Sequence, residues 1–93
     1  MYQIMLVEDE MLVRESMAQN TNWGRFGFAA PHVFENGQQA LEQLETLRPD
    51  VVITDICMPF VGGLELARHI YETLPETIVV VLTGFSEFSY AQR

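Results

Sequence analysis

Glu8 and Asp9 directly follow the apolar run Gln3 to Val7, Asp55 ends the run that starts at Val51, and Thr83 follows the run Ile78 to Leu82. Each oxygen-bearing side chain stands where a short apolar segment stops. If these segments are neighbouring parallel strands, three carboxylates and a hydroxyl meet on one rim, since ligands of open parallel sheets sit beyond the strands' carboxyl ends. Uncompensated carboxylates in such a cluster repel and raise one another's pKa. A hard divalent cation relieves that conflict, and oxygen-only ligands favour Mg²⁺ or Mn²⁺ over Zn²⁺. Mg²⁺ also keeps several waters, leaving positions that phosphoryl oxygens can take.

The elements needed to position these residues are visible in the hydropathy pattern. After the first strand, Leu12, Val13, Ser16 and Met17 recur at helical spacing as far as Asn20. A polar turn from Thr21 to Gly27 leads to a second strand, expected over Phe28 to Phe34. It contains Pro31, which cannot donate to a ladder and so places this strand at an edge. Asn36 and Gln39 have capping-box spacing, and Ala40, Leu41, Leu44 and Leu47 form the apolar face of a second helix that Arg48-Pro49-Asp50 stops. The β-branched run Val51 to Thr54 predicts a central strand buried on both faces. Gly62 and Gly63 precede a third helix with a face of Leu64, Ala67, Tyr71 and Leu74. The strand Ile78 to Leu82 follows, and Ser86 to Arg93 starts a further helix. Strand–helix alternation of this kind implies right-handed crossovers and a parallel sheet with helices on both faces, an α/β fold.

Composition narrows the function classes. Thirteen acidic residues stand against five basic ones, all arginine, for a formal charge of -8. That balance argues against direct contact with nucleic acid or an anionic membrane, which call for a basic patch. Cys57 is the only cysteine, so neither an intramolecular disulfide nor a structural zinc site can form, as expected in a reducing cytoplasm. The N-terminus has no signal-peptide pattern, and no apolar segment approaches a membrane span. His32 and His69 are isolated, Met5, Met11, Met17 and Phe34 suit packing, and Trp23 suits an anchor for the turn after the first helix.

Val7-Glu8-Asp9-Glu10, Ile53 to Pro59 with Gly63, and Val81-Leu82-Thr83-Gly84 together resemble the signature of response-regulator receiver domains, in its usual order and spacing. The resemblance runs from Tyr2 to Arg93. It implies a flavodoxin-like doubly wound sheet of order 2-1-3-4, and one receiver domain over residues 1–93. Asp55 would accept a phosphoryl group from a sensor histidine kinase. Asp9 and Asp55 would ligate Mg²⁺ through carboxylates, Cys57 through its backbone carbonyl and Glu8 through water. Thr83 would turn its hydroxyl to the phosphoryl group and draw the following loop inward.

The family's lysine, fifth strand and last helix have no counterpart here, so the expectation is a domain truncated before strand five, with a second copy as a partner for the uncovered surface. Asn22-Trp23, Gly27-Phe28 and the run Gly84 to Ala91 are similar to receivers joined to AraC-type helix-turn-helix domains. DNA would then be contacted only through an output domain absent from this chain. Two alternatives stand beside this one. A pseudo-receiver would share the fold but take no phosphate. An aspartyl-phosphate hydrolase of the haloacid-dehalogenase type needs a second aspartate two residues after the nucleophile, where this chain has Cys57.

Overall fold

A computed structural model describes residues 1–58 and 60–82. Thr83 and the helix expected over Ser86 to Arg93 lie outside the described residues. The elements are β1 (Ile4–Val7), α1 (Met11–Asn20), a 3₁₀ turn (Trp23–Phe26), β2 (His32–Phe34), α2 (Gly37–Leu47), β3 (Val51–Asp55), α3 (Gly63–Thr73) and β4 (Ile78–Leu82). All strand pairs are parallel, in the order β2-β1-β3-β4. The expected topology is therefore the observed one.

The core lies between the sheet and α2 with α3. Met5, Val7 and Val52 from the strands meet Ala40, Leu44, Leu66 and Ile70 from the helices, with Val61 closing the cluster. Leu66 and Ile70 are fully buried, each stabilising the fold by about 1.5–3 kcal/mol relative to exposure. This corrects part of the expected face of α3: Leu64 and Tyr71 are 63% and 78% exposed, whereas Ala67 is partly buried and Leu74 packs against the core. The helix carries two apolar stripes, and the one inside is Gly63, Leu66 and Ile70.

Three other expectations are revised. β2 spans only three residues: Pro31 precedes it, and Phe28 forms an isolated bridge to Tyr2 instead. Gly27, at φ 87, turns the chain out of the 3₁₀ segment, and the Phe28 amide donates back to the Trp23 carbonyl. β2 does sit at the edge that Pro31 suggested. In β3 only Val52 and Thr54 are fully buried, while Val51 and Ile53 are half-buried; β1, not β3, is covered on both faces. Finally, α1 buries none of its residues, and Leu12 is 76% exposed.

The ends of the helices explain their limits. The Asn36 Oδ1 accepts from the Gln39 amide at 2.9 Å, a side-chain N-cap for α2. The reciprocal bond falls one residue earlier than in a capping box, from the Glu35 amide to Gln39 Oε1. At the other end Arg48 adopts the left-handed conformation, φ 42, and its amide donates to the Leu44 carbonyl. Trp23 anchors its turn as expected: Nε1 donates to the Ala18 carbonyl, and the ring stands edge-on to Phe28.

Candidate functional site

Register places the acidic residues. Val7, the last residue of β1, pairs with Thr54, so Glu8 leaves the sheet beside Asp55, the last residue of β3, which itself pairs with Leu82 of β4. The chain leaves β1 at Glu8, whose amide still donates to the Phe34 carbonyl of β2 at 3.1 Å. Glu8, Asp9 and Asp55 each offer a carboxylate oxygen, and these oxygens lie within 4.8 Å of one another. The three residues that sequence spacing brought together are thus adjacent in space. Cys57 is exposed, two residues beyond β3, and Thr83 lies outside the described residues.

The start of the loop after Asp55 and its junction with α3 are held by close backbone contacts. The Ile56 amide donates to Asp55 Oδ1 at 2.9 Å, orienting that carboxylate. The Gly63 amide donates to the Ile56 carbonyl at 2.9 Å, and a Cβ at Gly63 would strike the Asp55 carbonyl and stand 2.9 Å from Ile56 Cα. α3 can therefore start directly against the acidic strand end only because residue 63 has no side chain. Thr54, fully buried below the site, donates its hydroxyl to the Asp55 carbonyl at 3.1 Å. Met58 packs against the core from the same loop.

Electrostatics follow from this crowding. Glu8 is only 9% exposed, and its pKa is raised from 4.5 to about 7. Desolvation is the main cause, opposed by the Glu10 amide that donates to the carboxylate and reinforced by Asp9 and Asp55. A folded-state pKa above the unfolded value favours the protonated native state. The associated stability is fully present below pH about 4.5 and is lost as pH rises through about 7. In metal-free buffer, urea unfolding across that interval is expected to show stability falling with pH, and Glu8→Gln to flatten the slope. An unchanged slope in Glu8→Gln would assign the effect elsewhere.

One contributor escaped the sequence reading. Arg14, in the first turns of α1, donates Nη1 to the Glu8 carbonyl at 2.9 Å. Its only sequence signal is its position six residues after Glu8, which is uninformative until the direction of α1 is known.

Chemically, the rim offers a crowded, partly desolvated set of hard oxygen donors with one carboxylate held by its own loop. That donor set suits a small divalent cation and the negatively charged groups such a cation binds.

Comparison with known proteins places this geometry. Residues 4–93 match the family model described as the response regulator receiver domain. The chain is 37% identical over 93 residues to the uncharacterised transcriptional regulatory protein YesN of Bacillus subtilis, covering 25% of that protein. It is 31% identical over 90 residues to the transcriptional regulatory protein HptR of Staphylococcus aureus, covering 35% of it. The chain thus spans between a quarter and about a third of the length of these curated relatives. Among solved structures, the REC domain of AraT, a response regulator from Geobacillus stearothermophilus, superposes with a TM-score of 0.90 at 35% identity, over 98% of this chain and 70% of that one. The response regulator TrrA of Thermotoga maritima, solved in complex with Mg(2+)-BeF, gives 0.82 at 31% identity, over 97% and 76%.

Proposed function

Because this chain belongs to the response-regulator receiver-domain family, we propose that it is a phosphorylation switch in which Asp55 takes a phosphoryl group from a sensor histidine kinase with Mg²⁺ bound beside it. The observation that carries this is the meeting of Glu8, Asp9 and Asp55 at the ends of β1 and β3. The donor set fits Mg²⁺: all three groups are hard oxygens, and burial with repulsion from Asp9 and Asp55 raises the Glu8 pKa to about 7, a cost that a bound cation would relieve. The solved complex of the Thermotoga relative with Mg(2+)-BeF supports the same assignment. Asp9 and Asp55 would hold the ion through carboxylates, with the Cys57 carbonyl and Glu8 as the further groups that the family resemblance assigns to it. When bound, Mg²⁺ supplies charge neutralisation for the transferring group.

The residues then divide the work. The Ile56 amide holds Asp55 Oδ1, so the carboxylate meets phosphorus in a fixed orientation. An Asp55 oxygen forms the new O–P bond as the P–N bond of phosphohistidine breaks, and the electron pair leaves with the imidazole. The family resemblance assigns Thr83, outside the described residues, to contact with the phosphoryl group on the product. The chain acts as a switch and not as a turnover enzyme, consistent with Cys57 standing where an aspartyl-phosphate hydrolase carries its second aspartate. The curated relatives are transcriptional regulators, which supports a DNA-binding output domain elsewhere in a cytoplasmic protein. No helix among the described residues is long and apolar enough to cross a membrane.

The test is uptake of phosphate from acetyl phosphate, followed by intact mass, in the presence of Mg²⁺ and of a chelator. A single adduct that needs Mg²⁺ is expected. Its absence under both conditions would favour the pseudo-receiver alternative.

Self-association belongs to the same reading. Among the described residues β4 pairs only with β3, and Ile78, Val80 and Leu82 are exposed on it. An apolar exposed edge is a template for pairing with another chain. Sedimentation is expected to show a concentration-dependent dimer, whereas a monomer at high concentration would remove self-association from the reading.

A further inference from the structure

Arg14 stands at the acidic rim without occupying it. Its guanidinium donates to the Glu8 carbonyl at 2.9 Å, so the carboxylate oxygens of Glu8 and Asp9 are not consumed by this bond. Glu8 is thereby held from both sides: its amide donates to β2 at Phe34, and its carbonyl accepts from α1 at Arg14. The Glu10 amide, bonded to Glu8 Oε2 at 3.1 Å, completes a turn whose side chains include two of the three rim carboxylates.

The bond matters because, among the described residues, little else fixes the start of α1 to this end of the sheet. The helix has no buried residue, and its N-cap, Glu10, makes no side-chain capping bond. Of its apolar residues, Met11, Leu12 and Val13 in the first turn are exposed, and only Met17 and Ala18, further along, are partly buried, so packing holds the rim end of the helix weakly. A directional, charge-assisted hydrogen bond from the helix to the strand end then does the orienting that packing does in α2 and α3.

From this we infer that Arg14 is a positioning residue for the rim: through its bond to the Glu8 carbonyl it holds the Glu8–Asp9 turn in the geometry that binds a divalent cation. The inference rests on the Mg²⁺ reading given above. It opposes a role for Arg14 as a charge alone, because a nearby positive charge repels Mg²⁺ and its removal would tighten binding.

The test is Mg²⁺ affinity in the intact protein, measured by calorimetric titration, for wild type, Arg14→Met, Arg14→Lys and Asp9→Asn. Arg14→Met keeps the apolar stem and removes both the charge and the donors. It is expected to weaken Mg²⁺ binding about tenfold, the scale of one charge-assisted hydrogen bond. Arg14→Lys restores a single donor to the carbonyl and is expected to recover most of the affinity. Circular dichroism and urea unfolding without Mg²⁺ establish that each variant is folded when titrated. A purely structural role lowers urea stability but leaves the affinity of the folded protein unchanged, and that result would overturn the inference. So would tighter binding in Arg14→Met, or a failure of Arg14→Lys to recover affinity. Asp9→Asn separates the two levels of the argument: it loses Mg²⁺ binding if the rim is the site. Wild-type affinity in Asp9→Asn would overturn the site reading and, with it, the role of Arg14.

Discussion

Asp55→Asn is expected to end phosphate uptake from acetyl phosphate, leaving no adduct where the wild-type protein is expected to form one. The amide that replaces the carboxylate is similar in size and can still accept the Ile56 amide bond, so the loop is expected to keep its shape. What disappears is the anionic oxygen proposed to attack phosphorus, together with one negative charge of the rim. The fold is not expected to suffer. Asp55 is one of the charges that raise the Glu8 pKa, so its removal moves Glu8 back toward its ordinary value. Urea unfolding in metal-free buffer near neutral pH is therefore expected to show the variant at least as stable as wild type. Loss of phosphate uptake with retained stability assigns the chemistry to this carboxylate. An adduct of equal yield on Asp55→Asn would place the acceptor on another residue.

The second large effect is structural and lies next to the same atoms. Gly63→Ala adds a methyl group where the Asp55 carbonyl, Ile56 Cα and the start of α3 already meet. The nearest obstacles are backbone, which cannot rotate aside as the end of a side chain can. Either α3 shifts off the sheet, uncovering Leu66 and Ile70, or β3 moves at Asp55. Overpacking at such a site costs about 3 kcal/mol, which for a chain of this size lowers Tm by about 12 to 24 °C. Gly24→Ala is the matched control. Its Cβ would meet only Asn22 Oδ1 at 3.9 Å, so a change within about 0.5 kcal/mol is expected. Thermal melts of the two variants side by side decide the matter: equal melting would mean that α3 approaches Asp55 less closely than described. Any backbone shift in Gly63→Ala also moves the Asp55 carboxylate proposed as acceptor, so slower phosphate uptake should accompany the lost stability.

The order of strands and helices, and the rim on which the acidic residues sit, were legible in the sequence. Short apolar and β-branched runs mark strands, turn residues bound them, and a side chain at the end of a parallel strand must emerge at its carboxyl edge. Glu8, Asp9 and Asp55 were therefore placed together by local signals and one topological rule, the strand order itself coming from family resemblance. Helix rotation was not legible. α3 carries one stripe through Leu64, Ala67, Tyr71 and Leu74, and another through Leu66 and Ile70. Periodicity alone cannot choose between them; the close approach of Gly63 to the Asp55 carbonyl does, by fixing which side of the first turn faces the sheet. The limits of β2 and the exposure of α1 likewise depend on neighbours far along the chain: Tyr2 takes Phe28 out of the strand, and no described element covers Leu12. The Arg14 bond to the Glu8 carbonyl belongs to the same class. Sequence determined which groups reach the rim, because that depends on where strands end. Tertiary structure decided how those groups are held, because that depends on the rotation of each helix against the sheet and on backbone contacts that residue types alone do not specify.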